Sequence, residues 1–313
     1  MKDVLRGIVK RLPQLGKVYR QRDELRGIVN RLWVEPGHFY SPIPQLDELR
    51  LKEAEVFGRL PKELPGIELN EARQLEWLDR LKAYYAELPF KARKQDGLRY
   101  FFDNPAYSYF DAVVLYGVLR HLKPRRVVEV GSGYSSCLFL DTNELFFDNC
   151  VECTFVEPYP QLLESLVKEE DRRRVEIIPR KLEEVDRALF RRLEANDILF
   201  VDSSHVAKTN SDVNCVFFDI LPLLRSGVYV HFHDVYYPFE YPREWVFQGR
   251  AWNEAYFLRA FLQYNREFEI EIFNSFLERF HCDRLARELP LCVEHAAADN
   301  IPASGLSIWL RRV

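Results

Sequence analysis

The spacing of hydrophobic residues changes at about Arg126, where short apolar runs begin to alternate with segments of helical periodicity. The apolar runs occupy residues 127–130, 153–157, 175–179, 197–202 and 227–234. Helical stretches lie between them, around residues 135–146, 160–169, 183–193 and 210–224. Because strands buried on both faces read as nearly continuous apolar runs, the alternation predicts a mostly parallel sheet with helices on both sides. This is the pattern of a doubly wound α/β domain.

Two further β-like runs follow a predicted helix near residues 253–264. They occupy residues 267–273 and 305–313, and no strongly apolar crossover helix is evident between them. A parallel pair would need such a crossover. We therefore expect an antiparallel C-terminal strand pair at the edge of the sheet, which brings the predicted sheet to seven strands.

The N-terminal segment contains a short repeat, in which DVLRGIVKRL at residues 3–12 returns as DELRGIVNRL at residues 23–32. The apolar residues of each copy fall at helical spacing, so the repeat predicts two basic amphipathic helices, interrupted between them by Pro13 and Gly16. Such helices can bind a membrane surface or a partner. Packing against the body of the protein or a second subunit is favoured, because the apolar faces are short and lack an aromatic residue before Trp33. A homodimer through these helices is one expectation.

Residues 34–70 are rich in proline and glycine, which indicates an extended connector. A helix is predicted from Asn70, acting as its N-cap, to Leu88, since a proline follows. Another is predicted over about 108–122. We therefore divide the chain into a helical arm with connector and cap, at residues 1–107, and an α/β domain, at residues 108–313.

Composition and charge narrow the range of partners. Of 313 residues, 47% are hydrophobic, which is enough to form a buried core, and the net charge of −4 gives no reason to expect a nucleic-acid partner. Residues 1–33 carry nine basic and three acidic residues, about +6, so the remainder is about −10. No apolar run reaches the roughly 20 residues of a membrane span, so integral membrane association is not expected. The N-terminus lacks the apolar stretch of a signal peptide, and a cytoplasmic location is expected.

A glycine-rich loop follows the first predicted strand. Gly131 and Gly133 allow the chain to turn sharply and to approach a ligand closely, and the next helix begins with free N–H groups. Glu129 lies at the end of that strand, and Glu157, which could accept hydrogen bonds from a ribose diol, lies at the end of the second. Ser136 stands where a dinucleotide-binding loop has Gly or Ala, so a cofactor without a pyrophosphate is favoured.

The segment VVEVGSGYSS resembles the cofactor loop of class I S-adenosylmethionine-dependent methyltransferases. More narrowly, it is similar to bacterial small-molecule and sugar O-methyltransferases, whose loop reads E-x-G-x-G-x-S. The resemblance covers roughly residues 108–313 and includes the VDSSH and HFHD segments. It implies the Rossmann-like methyltransferase fold with S-adenosylmethionine as cofactor. The residues that it implies for cofactor binding are Glu129, Gly131, Ser132, Gly133, Ser135, Glu157, Leu182 and Asp202. Leu182 would flank the adenine, where an acid is more usual, and Lys181 and Leu182 do not supply one.

Two polar clusters follow predicted strands four and five, where ligands of α/β sheets bind. They supply the candidate catalytic residues Asp202, His205, His233 and Asp234. Transfer of a methyl group to a hydroxyl requires in-line geometry and removal of a proton. His233 or His205 is ranked first, as the base or as a group that orients the acceptor. A divalent metal such as Mg²⁺, held by Asp202, His233 and Asp234, is ranked second. Metal-dependent relatives of this fold have an acidic pair at the end of strand five, and His233 replaces one of these acids. Hydrogen bonding to loop backbone is the third interpretation, above all for His231.

The aromatic segment 235–265 follows the second cluster and predicts an acceptor pocket or lid. Tyr241, Trp245 and Arg250 are the candidate acceptor contacts, and the acceptor is expected to be a small molecule or a sugar. The predicted function is therefore S-adenosylmethionine-dependent O-methylation with proton removal by His and Asp. A nicotinamide-dependent oxidoreductase and a non-catalytic binding protein that retains the fold are the alternatives.

Overall fold

The computed structural model describes residues 13–107, 109–293 and 305–313. Contacts between residues divide the chain into two compact units after Gly58. The predicted boundary between residues 107 and 108 lies inside the larger unit and stays a prediction. None of the helices in the described ranges is long and apolar enough to cross a bilayer.

The smaller unit contains three helices among its described residues. They are α1 (Pro13–Val29), α2 (Leu46–Leu51) and α3 (Glu53–Phe57). Most of the second copy of the repeat lies in α1, as predicted, while the first copy, at 3–12, lies outside the described residues. The described residues of helix α1 begin at Pro13, so the predicted interruption at Pro13 stays a prediction. The helix continues through Gly16, so the predicted interruption at that residue is wrong.

The larger unit is built on a seven-stranded sheet among its described residues. The strands are β1 (Arg126–Val130), β2 (Glu152–Val156), β3 (Glu176–Ile178), β4 (Ile198–Val201), β5 (Tyr229–Phe232), β6 (Phe268–Phe273) and β7 (Ile308–Arg312). Their order in the sheet is β3-β2-β1-β4-β5-β7-β6. The first five strands pair in parallel, whereas β7 pairs antiparallel with both β5 and β6. The predicted doubly wound sheet and its antiparallel C-terminal pair are confirmed.

Helices cover the sheet. They are α4 (Glu71–Tyr85), α5 (Tyr109–Leu122), α6 (Tyr134–Phe146), α7 (Gln161–Leu166), α8 (Ala188–Arg191), α9 (Asp212–Asn214), α10 (Arg243–Phe247), α11 (Glu254–Leu262) and α12 (Asn274–Glu288). Helix α9 continues as a π-helical segment over Cys215–Ile220 and a 3₁₀ turn over Leu221–Leu223. Helix α12, which is interrupted at His281, lies between β6 and β7, where the sequence predicted no apolar crossover helix.

Burial explains why the central strands were recognisable from the sequence. Every residue of β4 and β5 is buried, and β1 is buried after Arg126. Helix α5 is buried along nearly its whole length, so its apolar residues run around the helix instead of forming one stripe. Helix α4 ends at Tyr85, three residues before the predicted end. Asn70 holds the N-cap position in a left-handed conformation, and its side chain donates to the carbonyl of Ile270 instead of capping the helix.

A buried ion-pair cluster fixes the segment before α5 to the body of the larger unit. The guanidinium of Arg99, which is 2% exposed, donates to Asp141 at 2.6 Å and to Asp171 at 2.7 Å and 2.5 Å. The Asp141 carboxylate also accepts from the backbone amides of Arg99 and Tyr100. Both carboxylates are buried and depend on the same cation.

Replacing Arg99 by methionine should therefore destabilise the protein, because two buried carboxylates would lose their cation. Removing one partner from a buried pair typically costs about 3–5 kcal/mol. Urea unfolding of Arg99→Met, compared with Arg93→Met at an exposed arginine, measures the difference. Equal and small effects of the two substitutions would show that the cluster does not stabilise the fold.

Candidate functional site

The carboxyl ends of β1, β2 and β4 open into a cleft of about 410 Å³. Because these strands are parallel neighbours, the residues that follow them meet at one edge of the sheet. The cleft is lined by residues at the ends of β1, β2 and β4, by the turn after β3 and by the segment that leads into α9: Val130, Gly131, Val156, Glu157, Pro158, Tyr159, Lys181, Leu182, Glu183, Asp202, Ser203, Ser204, Lys208, Asn210, Ser211 and Asp212. Four of the predicted cofactor-binding residues, Gly131, Glu157, Leu182 and Asp202, are among them.

The loop after β1 requires glycine at Gly131. Its φ of +78° lies in the left-handed region, and a Cβ there would overlap the backbone carbonyl oxygen of Asp202. The situation at Gly133 is different, since a Cβ there would meet only the side chain of Leu162, at 3.5 Å. The first glycine is thus required by the fold, whereas a side chain at the second would make only an ordinary contact with Leu162.

Glu129 lies fully buried behind this loop. The hydroxyls of Ser135 and Ser136 each donate to its carboxyl group at 2.5 Å, and Ser136 also accepts from the backbone amide of Gly133 at 3.0 Å. Burial raises the pKa of Glu129 to about 8, although the two serine hydroxyls act in the opposite direction. Glu129 and Ser135 therefore hold the loop in shape from within, and their predicted contact with the cofactor stays a prediction, as do those of Ser132 and Gly133.

Two side chains define the other wall of the cleft. The Glu157 carboxylate accepts from the amide of Ser132 at 3.2 Å and from the amide of Tyr159 at 2.8 Å, which fixes its orientation at the cleft. Leu182 is buried in a 3₁₀ turn over Leu182–Glu184. Glu183, the next residue, also lines the cleft. It is an acid, whereas only Lys181 and Leu182 were considered from the sequence.

The four predicted catalytic residues come together next to the cleft. The carboxylate of Asp202 lies 3.4 Å from Nε2 of His205 and 3.6 Å from Nδ1 of His233. Asp234 lies 3.3 Å from His205 Nε2 and 3.6 Å from His233 Nδ1. The two histidines are almost fully buried, while the Asp202 side chain is 34% exposed. We call these four side chains the reactive cluster.

The charges of the reactive cluster stabilise one another. Burial lowers the pKa of His205, but Asp202 and Glu254 raise it by more than burial lowers it. The resulting pKa is about 10. Burial opposes the charge of His233 as well, yet Asp234 and Asp202 hold its pKa well above the usual value. Partial burial opposes the charge of Asp202, but His233 lowers the pKa of this carboxyl group below its usual value. Burial raises the pKa of Asp234. Both imidazoles are therefore held protonated near neutral pH, which favours orienting an acceptor oxygen over accepting its proton.

Three residues that the sequence analysis did not assign complete this region. Glu254, at the start of α11, is 1% exposed and lies 2.9 Å from His205 Nδ1, while also accepting from the Ser203 hydroxyl at 2.8 Å. The ring of Trp252 lies 4.3 Å from that of His205. Asp111, from α5, faces His233 Nε2 at 3.7 Å. Glu254 is one of three glutamates in the aromatic segment, so its presence there was an unspecific signal.

His231 serves packing. It is fully buried on β5, its ring stacks on Phe200 with a centroid distance of 3.8 Å, and it meets Trp309 edge-on at 4.8 Å. Burial lowers its pKa well below the usual value, so the ring is neutral. Neither ring nitrogen of His231 has a hydrogen-bond partner among the described residues, so the predicted hydrogen bonding to loop backbone is wrong for His231, and the ring packs by aromatic contacts instead.

The predicted acceptor contacts belong to one aromatic cluster. The Tyr241 hydroxyl accepts from the amide of Ala255 at 3.0 Å, so it fixes the start of α11. Trp245 lies 5.2 Å from Trp252, and the Arg250 guanidinium lies 4.3 Å and 5.0 Å from these two rings. Through Trp252 the cluster reaches His205. Contact of Tyr241, Trp245 and Arg250 with an acceptor stays a prediction.

The candidate metal ligands also converge. Asp202, His233 and Asp234 each offer one ligand atom, and these atoms lie within 4.8 Å of one another. Two carboxylates and an imidazole suit a divalent transition metal better than Mg²⁺, which prefers ligands that are all oxygen.

Comparison with known proteins agrees with the architecture. A family model described as a methyltransferase domain matches residues 128–235. An uncharacterized protein of Archaeoglobus fulgidus is 34% identical over 168 residues, which cover 52% of this chain and 75% of that protein. Among solved structures, the Podospora anserina methyltransferase PaMTH1 bound to SAH is similar with a TM-score of 0.42 and 11% identity, over 90% of this chain and 98% of that one. The O-methyltransferase TomG of Streptomyces achromogenes, in complex with SAM, is similar with a TM-score of 0.40 and 19% identity, over 63% and 89%.

The raised pKa of Glu129 leads to a pH-dependent effect on stability. Between about pH 4.5 and 8 the folded protein retains a proton that the unfolded chain releases, so this group lowers the free energy of unfolding as pH rises, by about 1.4 kcal/mol per pH unit. Glu129→Gln removes this contribution. Its stability relative to the wild type should therefore increase with pH across the window in urea unfolding, without cofactor. A difference that does not vary with pH, as expected for the exposed-site control Glu184→Gln, would contradict the assignment.

Proposed function

Because the chain belongs to the class I S-adenosylmethionine-dependent methyltransferases, we propose that it methylates a hydroxyl oxygen of a small-molecule or sugar acceptor. The observation that carries the proposal is the position of Asp202. Its side chain lines the cleft, and its carboxylate also faces both histidines of the reactive cluster. A cofactor in the cleft and an acceptor at the reactive cluster would therefore be neighbours, as transfer between them requires.

The polar and apolar groups that line the cleft suit S-adenosylmethionine. Glu157 presents a carboxylate for a ribose diol, its orientation fixed by two backbone amides. Leu182 offers an apolar surface for the adenine, with Glu183 beside it for a polar edge. Gly131, which lines the cleft, would let the methionine portion lie close to the backbone. The bound cofactor supplies an electrophilic methyl group on a sulfonium.

The reactive cluster supplies proton chemistry for a hydroxyl acceptor. His205 and His233, held protonated by their carboxylate neighbours, would donate hydrogen bonds to the acceptor oxygen and orient it. Asp234 is 14% exposed, and burial raises its pKa, so it is a stronger base than an ordinary carboxylate. In this assignment Asp234 accepts the proton and the histidines act as orienting groups. Glu254 would hold His205 in place through Nδ1.

A metal-assisted form of the same reaction is favoured by the convergence of Asp202, His233 and Asp234. These three residues would hold a divalent cation. The cation would lower the pKa of the acceptor hydroxyl, so that a weaker base is sufficient. A titratable ligand such as His233 would have to lose its proton for the metal to bind.

The aromatic cluster is the proposed acceptor wall. Trp252 contacts His205, Trp245 packs against Trp252, and the Arg250 guanidinium lies over the Trp252 ring. Flat aromatic faces pack against sugar rings and planar acceptors alike. The guanidinium between the two tryptophans adds a hydrogen-bond donor for a polar substituent.

Substitution of the two aspartates separates cofactor binding from chemistry. Asp234→Asn should lower kcat roughly a hundredfold or more, because it removes the proton acceptor, while calorimetric binding of S-adenosylmethionine should stay near the wild-type level. Asp202→Asn should weaken both, since this residue also lines the cleft. Asp219→Asn, at an exposed aspartate, is the matched control.

The assay uses a panel of phenols, sugars and amines with product identification. Methylation of nitrogen, or full turnover in Asp234→Asn, would refute the assignment.

Metal removal distinguishes the two forms of the reaction. If the cation is used, a chelator should abolish turnover, Mg²⁺ or Mn²⁺ should restore it, and Mn²⁺ affinity should fall as pH falls, because protons compete for His233. His233→Ala should weaken Mn²⁺ binding measured by calorimetry. Full turnover after chelation, with no Mn²⁺ binding, would favour direct proton transfer to the carboxylate.

A further inference from the structure

The outer face of helix α1 carries a stripe of exposed aliphatic side chains. Val18, Leu25 and Val29 are exposed, Leu25 to 62%, and Leu32 follows at the same spacing. Steps of seven and four residues place Val18, Leu25 and Val29 on one face of the helix, and Leu32 lies three residues beyond its end. A groove of about 410 Å³ runs along the stripe, lined by Val18, Gln21, Arg22, Leu25, Arg26, Val29 and Asn30.

Two basic residues flank one side of this stripe. At 3.6 residues per turn, Arg22 and Arg26 fall within a right angle of the centre of the stripe. Asp23 and Glu24 fall on the far half of the helix, and Lys17 lies close to Glu24. Arg22 pairs with Asp23 at 2.6 Å, which partly compensates its charge. The apolar face is therefore bordered by positive charge on one side, above all at Arg26.

Exposed aromatic residues follow directly after the helix. Trp33 is 81% exposed, Phe39 87% and Tyr40 61%. The ring of Tyr40 lies 5.1 Å from that of Trp33 and 4.8 Å from that of Phe39, so the three form one exposed cluster. We define the arm surface as the stripe together with this cluster: Val18, Leu25, Val29, Leu32, Trp33, Phe39 and Tyr40.

We infer that the arm surface binds an anionic lipid bilayer at its headgroup layer. Apolar stripe, basic flanks and interfacial aromatic residues are the combination that such a surface selects. The aliphatic and aromatic side chains would enter the boundary between headgroups and acyl chains, and Arg22 and Arg26 would meet the anionic headgroups. The net charge of about −10 beyond residue 33 would limit the contact to the arm.

A second copy of the chain fits this surface less well. Two stripes packed face to face would bring Arg22 and Arg26 of both chains together along the seam, where like charges repel. An anionic surface converts the same charges into attraction. This is the argument that selects a bilayer over a dimer partner.

Vesicle binding of the full chain tests the inference. Vesicles of equal parts phosphatidylcholine and phosphatidylglycerol should co-sediment the protein at low salt, whereas phosphatidylcholine alone should retain little, and added salt should release it. Trp33 is the most exposed of the five tryptophans, because Trp77, Trp245 and Trp309 are buried and Trp252 is partly buried. Its emission should shift to shorter wavelength when anionic vesicles are added.

Variants separate the two contributions. Trp33→Ser should weaken the partition coefficient roughly tenfold, because a large apolar side chain no longer enters the interface. Arg26→Gln should weaken it roughly fivefold, as expected for one basic side chain near an anionic leaflet. Phe218→Ser, at an exposed phenylalanine of the larger unit, is the matched control and should not change it. Retained S-adenosylmethionine binding and unchanged thermal unfolding confirm that each variant is folded.

Two results would overturn the inference. One is the absence of co-sedimentation with the anionic vesicles at low salt, with unchanged tryptophan emission. The other is a dimer in light scattering that Leu25→Glu dissociates, in a protein that does not bind vesicles. The second result would assign the arm surface to a second copy of the chain.

Discussion

Three backbone hydrogen bonds beyond the ends of the parallel strands hold the site together. The amide of Gly131 donates to the last residue of β2 at 3.0 Å, that of Asp202 to the last residue of β1 at 2.8 Å, and that of His233 to the last residue of β4 at 3.0 Å. Each bond extends a ladder by one step past the strand. The carbonyl of Asp202 is thereby pressed against the Cα of Gly131, which only glycine permits. The cofactor loop and the reactive cluster are consequently one rigid assembly.

Buried charge is the second constraint, and it follows from the first. The sheet brings polar residues to an edge that other elements cover, so each charge there needs a partner. Two imidazoles share four carboxylates, contributed by residues after β4 and β5 and by α5 and α11: Asp202, Asp234, Asp111 and Glu254. Glu129 has only serine hydroxyls as partners, and its raised pKa is the consequence. A buried ionisable group in the site is therefore charged where a group of opposite charge faces it, as the imidazoles are. Where none does, as at Glu129, the neutral form is favoured.

Features that depend on one stretch of sequence could be predicted, whereas contacts between distant residues could not. The strands and the residues that follow them were predicted correctly, because a buried parallel strand leaves an uninterrupted apolar run in the sequence. The role of Glu254 was not, since it meets His205 across 49 positions and sits among aromatic residues that obscure it. Asp111 lies inside a buried helix, where a polar residue has no distinguishing spacing. Ser136 was read as a departure from dinucleotide loops, and its actual work is to join Glu129 to the amide of Gly133.

Exposure within the reactive cluster gives the direction from which an acceptor would arrive. The side chains of Asp202 and Asp234 are 34% and 14% exposed, whereas those of His205 and His233 are 6% and 5% exposed. An incoming hydroxyl would therefore meet the carboxylates first, with the imidazoles behind them. Trp252 covers His205 from the side of the aromatic cluster, so an acceptor that packs on that wall would present its hydroxyl to the carboxylates. Asp202 lines the cleft as well, so in the proposed reaction this one carboxylate would lie between the cofactor and the acceptor.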